Sequence, residues 1–206
     1  MSNDRSHRLK AHYAALLAEY GDSVEACQWG SPYAQQFRFL QLIQIENLNG
    51  KSILDVGCGR GDLYDFMKSR GVECQYTGID LVPGLIELAS AKFPEAEFLN
   101  LDLTCEPLDR KFDLVMMSGL FSNDLGEPRE SAEAYMQTLL KAAWDKCSRA
   151  MAFNFMSSYL TSADPELVFF DPERVLGFCI RELSRKVALL HYYEPDRGDV
   201  AVYVYR

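Results

Sequence analysis

The chain has 206 residues, of which 48% are hydrophobic and 25% are charged, and its formal net charge at pH 7 is −9. This length fits one domain with a sizeable core, and no segment reaches the roughly 20 continuous apolar residues that a membrane span needs. The excess of acidic residues disfavours nucleic acid as a partner, because that binding rests on Lys and Arg that neutralise phosphates.

The N-terminus, the cysteines and the histidines indicate a compartment and a kind of site. Residues 1–8 lead into an amphipathic pattern rather than an apolar run with a cleavage site, so a secretory leader is not expected. The six cysteines include no C-x-x-C pair, and His7 and His12 do not share a helix face. We predict a cytoplasmic protein with reduced cysteines, no membrane association and no metal site.

The N-terminal part of the chain is predicted to be helical. Apolar positions recur at helical spacing over residues 7–20 and again over residues 33–48. Ser31 is a plausible N-cap for the second helix, in front of a proline in its first turn. Residues 1–49 are therefore expected to form a helical extension on a domain of residues 50–206.

From Ser52 onward, short apolar runs alternate with helical stretches, which is typical of β-α-β units and a parallel sheet. The turn-rich segment 194–198 predicts an antiparallel hairpin between the last two strands. Long loops are expected at 119–130 and 157–172. The predicted strands are 52–56, 75–80, 96–100, 112–118, 149–156, 186–193 and 199–205, and the predicted helices lie near 61–70, 83–93, 129–146 and 171–183.

The strongest functional signal is a glycine loop between the first of these strands and the next helix. Its sequence is Gly57-Cys58-Gly59-Arg60-Gly61, and glycines there let the backbone approach a ligand closely. Asp80 ends the second strand, 19 residues after Gly61. An acid near that spacing can accept both hydroxyls of a ribose, so the pattern predicts a nucleoside-containing ligand.

Two classes of nucleoside cofactor compete, the nicotinamide dinucleotides and S-adenosylmethionine. A carboxylate at Asp55 would repel a pyrophosphate by ~1–4 kcal/mol at about 4 Å, whereas it would attract an ammonium and a sulfonium. The third glycine, Gly61, also departs from the dinucleotide spacing G-x-G-x-x-G. S-adenosylmethionine is favoured, and an NAD(P)-dependent oxidoreductase is the alternative.

Three motifs together resemble a known family. They are the segment 54–61, with Gly78-Ile79-Asp80 and Asn100-Leu101-Asp102, and over roughly residues 50–206 they resemble the class I S-adenosylmethionine-dependent methyltransferases. The resemblance implies an α/β fold with a three-layer, Rossmann-like, seven-stranded sheet whose last strand is antiparallel. It also implies S-adenosylmethionine as the cofactor.

The resemblance also implies where the cofactor is held. Gly57, Gly59 and Gly61, with Cys58 between them, line the methionine part, Asp80 holds the ribose, and Asp102 and Leu103 border the adenine. Physically, Asp102 can accept the exocyclic amine, while Leu81 and Leu103 offer apolar faces to the ring. The alternative for Asp102 is a turn cap in Asp102-Leu103-Thr104.

The fourth predicted strand delivers Ser118 and Gly119 to the ligand edge of the sheet, where the resemblance implies that the donor methyl faces its acceptor. The Asn/Asp-Pro-Pro-Tyr/Phe stretch of enzymes that methylate amino groups of adenine, cytosine or glutamine is absent there. We expect methyl transfer to oxygen or nitrogen of a small molecule. A module that binds the cofactor without turnover is the rival from another class.

The candidate catalytic base and the candidate residues of a lid over the cofactor lie outside these motifs. Methyl transfer depends largely on orientation, so a base need not exist, but His191 is the candidate base if the acceptor is a hydroxyl. Its alternative is a structural hydrogen bond. The resemblance implies that the N-terminal helices, with Tyr33, act as a lid, and Arg38 is a candidate partner for the methionine carboxylate. A solvated face for Arg38 and core packing for Tyr33 are the alternatives.

Overall fold

The computed structural model describes residues 2–159, 167–191 and 198–206. Six α-helices, a 3-10 helix at Val24–Cys27, a π-helical turn at Cys179–Leu183 and seven strands occupy these ranges. The helices are α1 (Ser2–Tyr20), α2 (Pro32–Leu42), α3 (Asp62–Ser69), α4 (Pro83–Lys92), α5 (Arg129–Lys146) and α6 (Pro172–Phe178). The strands are β1 (Ser52–Val56), β2 (Gln75–Asp80), β3 (Glu97–Asn100), β4 (Phe112–Met117), β5 (Cys147–Met156), β6 (Lys186–His191) and β7 (Asp199–Tyr205).

The seven strands form one sheet in the order β3-β2-β1-β4-β5-β7-β6. The pairs from β3 to β5 are parallel, whereas β7 runs antiparallel to both β5 and β6. The predicted α/β sheet with a reversed last strand is thereby confirmed. The strand order changes direction between β1 and β4, so the carboxyl ends of these two strands border the crevice in which open α/β sheets bind ligands.

Apolar clusters cover both faces of the sheet. Leu54 and Val56 of β1 pack with α5 and α6 on one face, and Ile53 packs with α2 and α3 on the other. This division follows from the two-residue alternation of side chains along a strand. Asp55 therefore shares the face of Ile53, opposite Val56.

The second helix ends earlier than the sequence pattern predicts. α2 stops at Leu42, and a turn follows in which the Asn49 N–H donates to Asn47 Oδ1. Ile45 and Leu48 are nevertheless buried. The apolar spacing therefore predicted correctly that these residues are buried, but it did not predict where the helix ends. The predicted end of β6 at residues 192–193 lies outside the described residues. Within the described ranges, no helix is long and apolar enough to cross a membrane.

Candidate cofactor and active site

A cavity of about 510 Å³ lies at the carboxyl ends of β1, β2 and β4. Its lining includes the glycine loop, the turn after β4, and residues of α1 and of the segment 27–30. Small-ligand sites typically measure about 300–1,000 Å³. The cavity therefore has the position and the size of a small-molecule site.

The glycine loop needs its glycines. Gly57 and Gly59 have φ angles of +73° and +56°, a region that L side chains rarely adopt. A Cβ atom at Gly57 would overlap the side chain of Leu120, and one at Gly59 would lie 2.9 Å from Cys27 Sγ. Both glycines line the cavity, so backbone is exposed there for a ligand to approach.

Two further loop residues that were predicted as cofactor contacts, Cys58 and Gly61, have structural positions. Gly61, with φ of +83°, is the N-cap of α3 and faces Phe93 and Phe98. The Cys58 side chain is buried against Gly78 of β2. The described structure brings neither of them to the cavity surface, so the cofactor contact predicted for them is not part of this geometry.

Asp80 lines the cavity beside the loop. Its Oδ2 accepts a hydrogen bond from the Gly59 N–H at 2.9 Å, and its Oδ1 accepts one from the Val82 N–H at 2.9 Å. Burial raises the pKa of this carboxyl, and these N–H groups oppose the rise. Each carboxylate oxygen has two acceptor sites, so the pair retains capacity for two ribose hydroxyls. The site fits the nucleoside part of S-adenosylmethionine.

Further along the same edge, Asp102 lines the cavity together with Leu81 and Leu103. Asp102 Oδ1 accepts hydrogen bonds from Thr104 N at 2.9 Å and Thr104 Oγ1 at 2.6 Å. Burial favours a higher pKa for Asp102, but hydrogen bonds, chiefly those from Thr104, outweigh it and lower the pKa. The capping alternative is therefore realised at a residue that also faces the cavity. The two leucines supply apolar surface suited to an adenine ring.

Asp55 lies away from the cavity. It is 2% exposed on the α2–α3 face of the sheet, and its Oδ2 accepts a hydrogen bond from the Tyr76 hydroxyl at 2.6 Å. Burial raises its pKa to about 7, despite the opposing hydrogen bond from Tyr76. The predicted direct attraction between this carboxylate and a cationic cofactor is absent from the described geometry, because strand alternation turns Val56, not Asp55, toward the cavity.

The two candidate site residues in α2 lie in different environments. Tyr33 is 64% exposed and packs against Phe37, away from the cavity surface that the structure describes. Arg38 lines the cavity with a side chain that is 12% exposed, so it is not on a solvated face. Its Nε donates to Asp199 Oδ1 at 2.7 Å, and its guanidinium lies 5.0 Å from the centre of the Trp29 ring.

His191 ends β6 at the edge of the sheet. Its Nε2 lies 2.8 Å from Ser157 Oγ, and it is not one of the residues described as lining the cavity. This geometry matches the structural hydrogen bond. It places the proposed base at the carboxyl edge of the sheet, beside the end of β5 and outside the cavity lining. In the ranges that the structure covers, no group of three or more His, Cys, Asp or Glu side chains is arranged to hold a metal ion.

Ser118 and Gly119 line the cavity, as predicted for the end of the fourth strand. Many other lining residues, including Tyr13, Asn123 and Tyr135, were not predicted from the sequence. Tyr13 lies in an amphipathic helix, where cavity-lining and core residues have the same spacing. No local signal distinguishes them.

Comparison with known proteins assigns the family. A family model described as a methyltransferase domain matches residues 53–143. The Mycobacterium tuberculosis protein Rv1506c, which is named as a methyltransferase, is 33% identical over 145 residues, which span 69% of this chain and 86% of that protein. The malonyl-(acyl-carrier protein) O-methyltransferase of Acetivibrio thermocellus is 38% identical over 91 residues, 42% of this chain and 32% of the enzyme.

The fold also matches a solved enzyme with its cofactor. Magnesium protoporphyrin IX methyltransferase from Synechocystis PCC 6803, crystallised with bound S-adenosylmethionine, superposes with a TM-score of 0.61 at 15% identity, covering 84% of this chain and 78% of that one. The dinucleotide alternative is thereby set aside, and S-adenosylmethionine is the cofactor. The chain belongs to the class I S-adenosylmethionine-dependent methyltransferases.

Proposed function

We propose that this methyltransferase acts on oxygen or nitrogen of a small organic molecule. The observation that carries the proposal is the cavity of about 510 Å³ at the carboxyl ends of β1, β2 and β4, whose lining includes residues of α1 and of the segment 27–30. Its volume lies in the range of small-ligand sites, which supports a small acceptor. The net charge of −9 also disfavours nucleic acid. The name of the Acetivibrio relative adds support for oxygen as the acceptor atom.

The cofactor-binding residues follow from the same geometry and are part of the proposal. Gly57 and Gly59 border the methionine part, Asp80 accepts the ribose hydroxyls, and Asp102 with Leu103 borders the adenine. Arg38 faces the methionine carboxylate. When bound, S-adenosylmethionine supplies a methyl group activated by the sulfonium, and the chain's own residues orient donor and acceptor and exclude water.

We further propose that α1 is a lid over this site. Arg5, although buried, donates from Nη1 to Glu127 Oε2 at 3.0 Å and from Nη2 to the carbonyl of Asn123 at 2.8 Å. Asn123 Nδ2 donates to the Tyr13 hydroxyl at 2.6 Å, and both Tyr13 and Asn123 line the cavity. α1 is therefore tied to the loop that follows β4 by contacts that also shape the binding site.

Replacing Glu127 with alanine is expected to loosen the lid, because it leaves the buried charge of Arg5 without its carboxylate partner, a change that typically costs about 3–5 kcal/mol. Limited proteolysis should cut α1 faster, and affinity for S-adenosylhomocysteine should fall. The control is Glu133→Ala in α5, which removes only partners of the exposed Arg129 and Arg174. If E127A exposes α1 to protease while cofactor affinity is unchanged, α1 is not a lid.

The acceptor proposal is tested with S-adenosylmethionine labelled on its methyl group. The enzyme is incubated with pooled small acids, phenols and amines, and in parallel with protein and RNA fractions. We expect label in low-mass products that are methylated at oxygen or nitrogen. Label confined to protein or RNA would overturn the small-molecule proposal, and label on carbon would overturn the choice of atom.

A further inference from the structure

One buried polar side chain in the sheet is not used by the cofactor contacts described above. From Ala150 to Met156 every residue of β5 is buried, and all of them are apolar except Asn154, which is 2% exposed. A buried amide costs free energy unless it is hydrogen-bonded. Its partners therefore indicate what it does.

Both partners lie in the turn that follows β4. Asn154 Oδ1 accepts a hydrogen bond from the Gly119 N–H at 2.8 Å, and Asn154 Nδ2 donates to Ser118 Oγ at 3.1 Å. The backbone pairing of β4 with β5 ends at Met117 and Phe153. The side-chain amide of Asn154 thus links β5 to the residues that directly follow β4, just beyond the last backbone pair of the two strands.

This turn lines the cavity and packs against two other segments that line it. Gly119 has a φ of +72°, and a Cβ atom there would lie 2.9 Å from the Trp29 ring. The next residue, Leu120, packs against Gly57 in the glycine loop. The position of the turn therefore sets the space between the end of β4 and the glycine loop. Asn154 fixes that position through its two hydrogen bonds to the turn.

We propose that Asn154 is a positioning residue that selectively supports binding of the amino-acid part of S-adenosylmethionine. The inference rests on the proposed function, which assigns the methionine part to the space beside Gly57 and Gly59. The adenosine part is assigned to Asp80, which ends β2, and to Asp102, which follows β3. Among the described residues, neither carboxylate is hydrogen-bonded to the turn. Loss of the Asn154 amide should therefore affect one end of the cofactor and spare the other.

The test compares two ligands by calorimetry. S-adenosylhomocysteine has both parts, whereas 5′-methylthioadenosine has the adenosine part and no amino acid. For Asn154→Ala we expect about a tenfold loss of affinity for S-adenosylhomocysteine, the size of one or two net hydrogen bonds, and unchanged affinity for 5′-methylthioadenosine. If N154A does not fold, Asn154→Ser, which keeps a small polar group, is expected to show the same selectivity with a smaller loss.

The matched control is Ser148→Ala. Ser148 Oγ donates to the Phe112 carbonyl at 2.9 Å and so ties β5 to the opposite end of β4. The Ser148→Ala variant should bind S-adenosylhomocysteine and 5′-methylthioadenosine with unchanged affinities. Equal losses for the two ligands in N154A, or no loss for either, would overturn the inference. If the unaltered protein binds neither ligand, the proposed cofactor site itself fails, and this outcome is distinct from a loss of selectivity.

Discussion

Replacing Asp80 with alanine is expected to lower the affinity for S-adenosylhomocysteine by about 10²–10⁴-fold. Two hydrogen bonds from ribose hydroxyls to an ionised carboxylate contribute about 1.5–3 kcal/mol each, and each 1.4 kcal/mol corresponds to about a factor of ten. The change also removes the acceptor for the Gly59 N–H, so it loosens the glycine loop at the same time. Calorimetric titration of the variant measures the loss.

The matched control is Asp113→Ala. Asp113 also accepts from a backbone N–H and a hydroxyl, since its Oδ2 lies 3.0 Å from Ser52 N and 3.1 Å from Ser52 Oγ, but it stands at the other end of the sheet. We expect this variant to bind the cofactor normally. Undiminished binding by a folded D80A variant would show that Asp80 does not hold the ribose.

The second large effect is a dependence of stability on pH that originates at Asp55. Burial raises the pKa of this carboxyl in the folded protein to about 7, whereas an unfolded aspartate titrates near about 3.9. The folded state therefore holds the proton more tightly. The stabilisation is fully present below the unfolded pKa and is lost as the pH rises through about 7. From pH 5 to pH 8 the free energy of unfolding should fall by roughly 2–3 kcal/mol because of this group.

The measurement is urea unfolding at several pH values, for the unaltered chain and for Asp55→Asn. The amide cannot ionise, but its oxygen can still accept from the Tyr76 hydroxyl. The difference in stability between the two proteins should change in favour of D55N as the pH rises. A difference that is constant from pH 5 to pH 8 would show that Asp55 does not titrate in this range.

Most of the fold was predictable from the spacing of apolar residues along the chain. This spacing differs between strands and helices, and the residues that it marks as apolar are mostly the ones that the structure buries. The strands β1, β2 and β7 have the predicted bounds. α2 is the exception: the helix ends at Leu42, yet Ile45 stays buried and preserves the apolar spacing.

Part of the site was also predictable, namely the part that is contiguous in sequence. Gly57 and Asp80 follow strands directly, so their place at the sheet edge follows from the β-α-β pattern. Asp55 was predicted to contact the cofactor, but strand alternation places its carboxylate on the α2–α3 face of β1, away from the cavity. Tyr13 and Asn154 could not be found from sequence, since their partners are distant along the chain.

The central claim is that the cavity beside Gly57, Gly59 and Asp80 binds S-adenosylmethionine. The most direct measurement is calorimetric titration of the unaltered chain with S-adenosylhomocysteine and, separately, with NAD and NADP. We predict saturable one-to-one binding of S-adenosylhomocysteine and no heat of binding with either dinucleotide. Binding of a dinucleotide with no response to S-adenosylhomocysteine would contradict the claim.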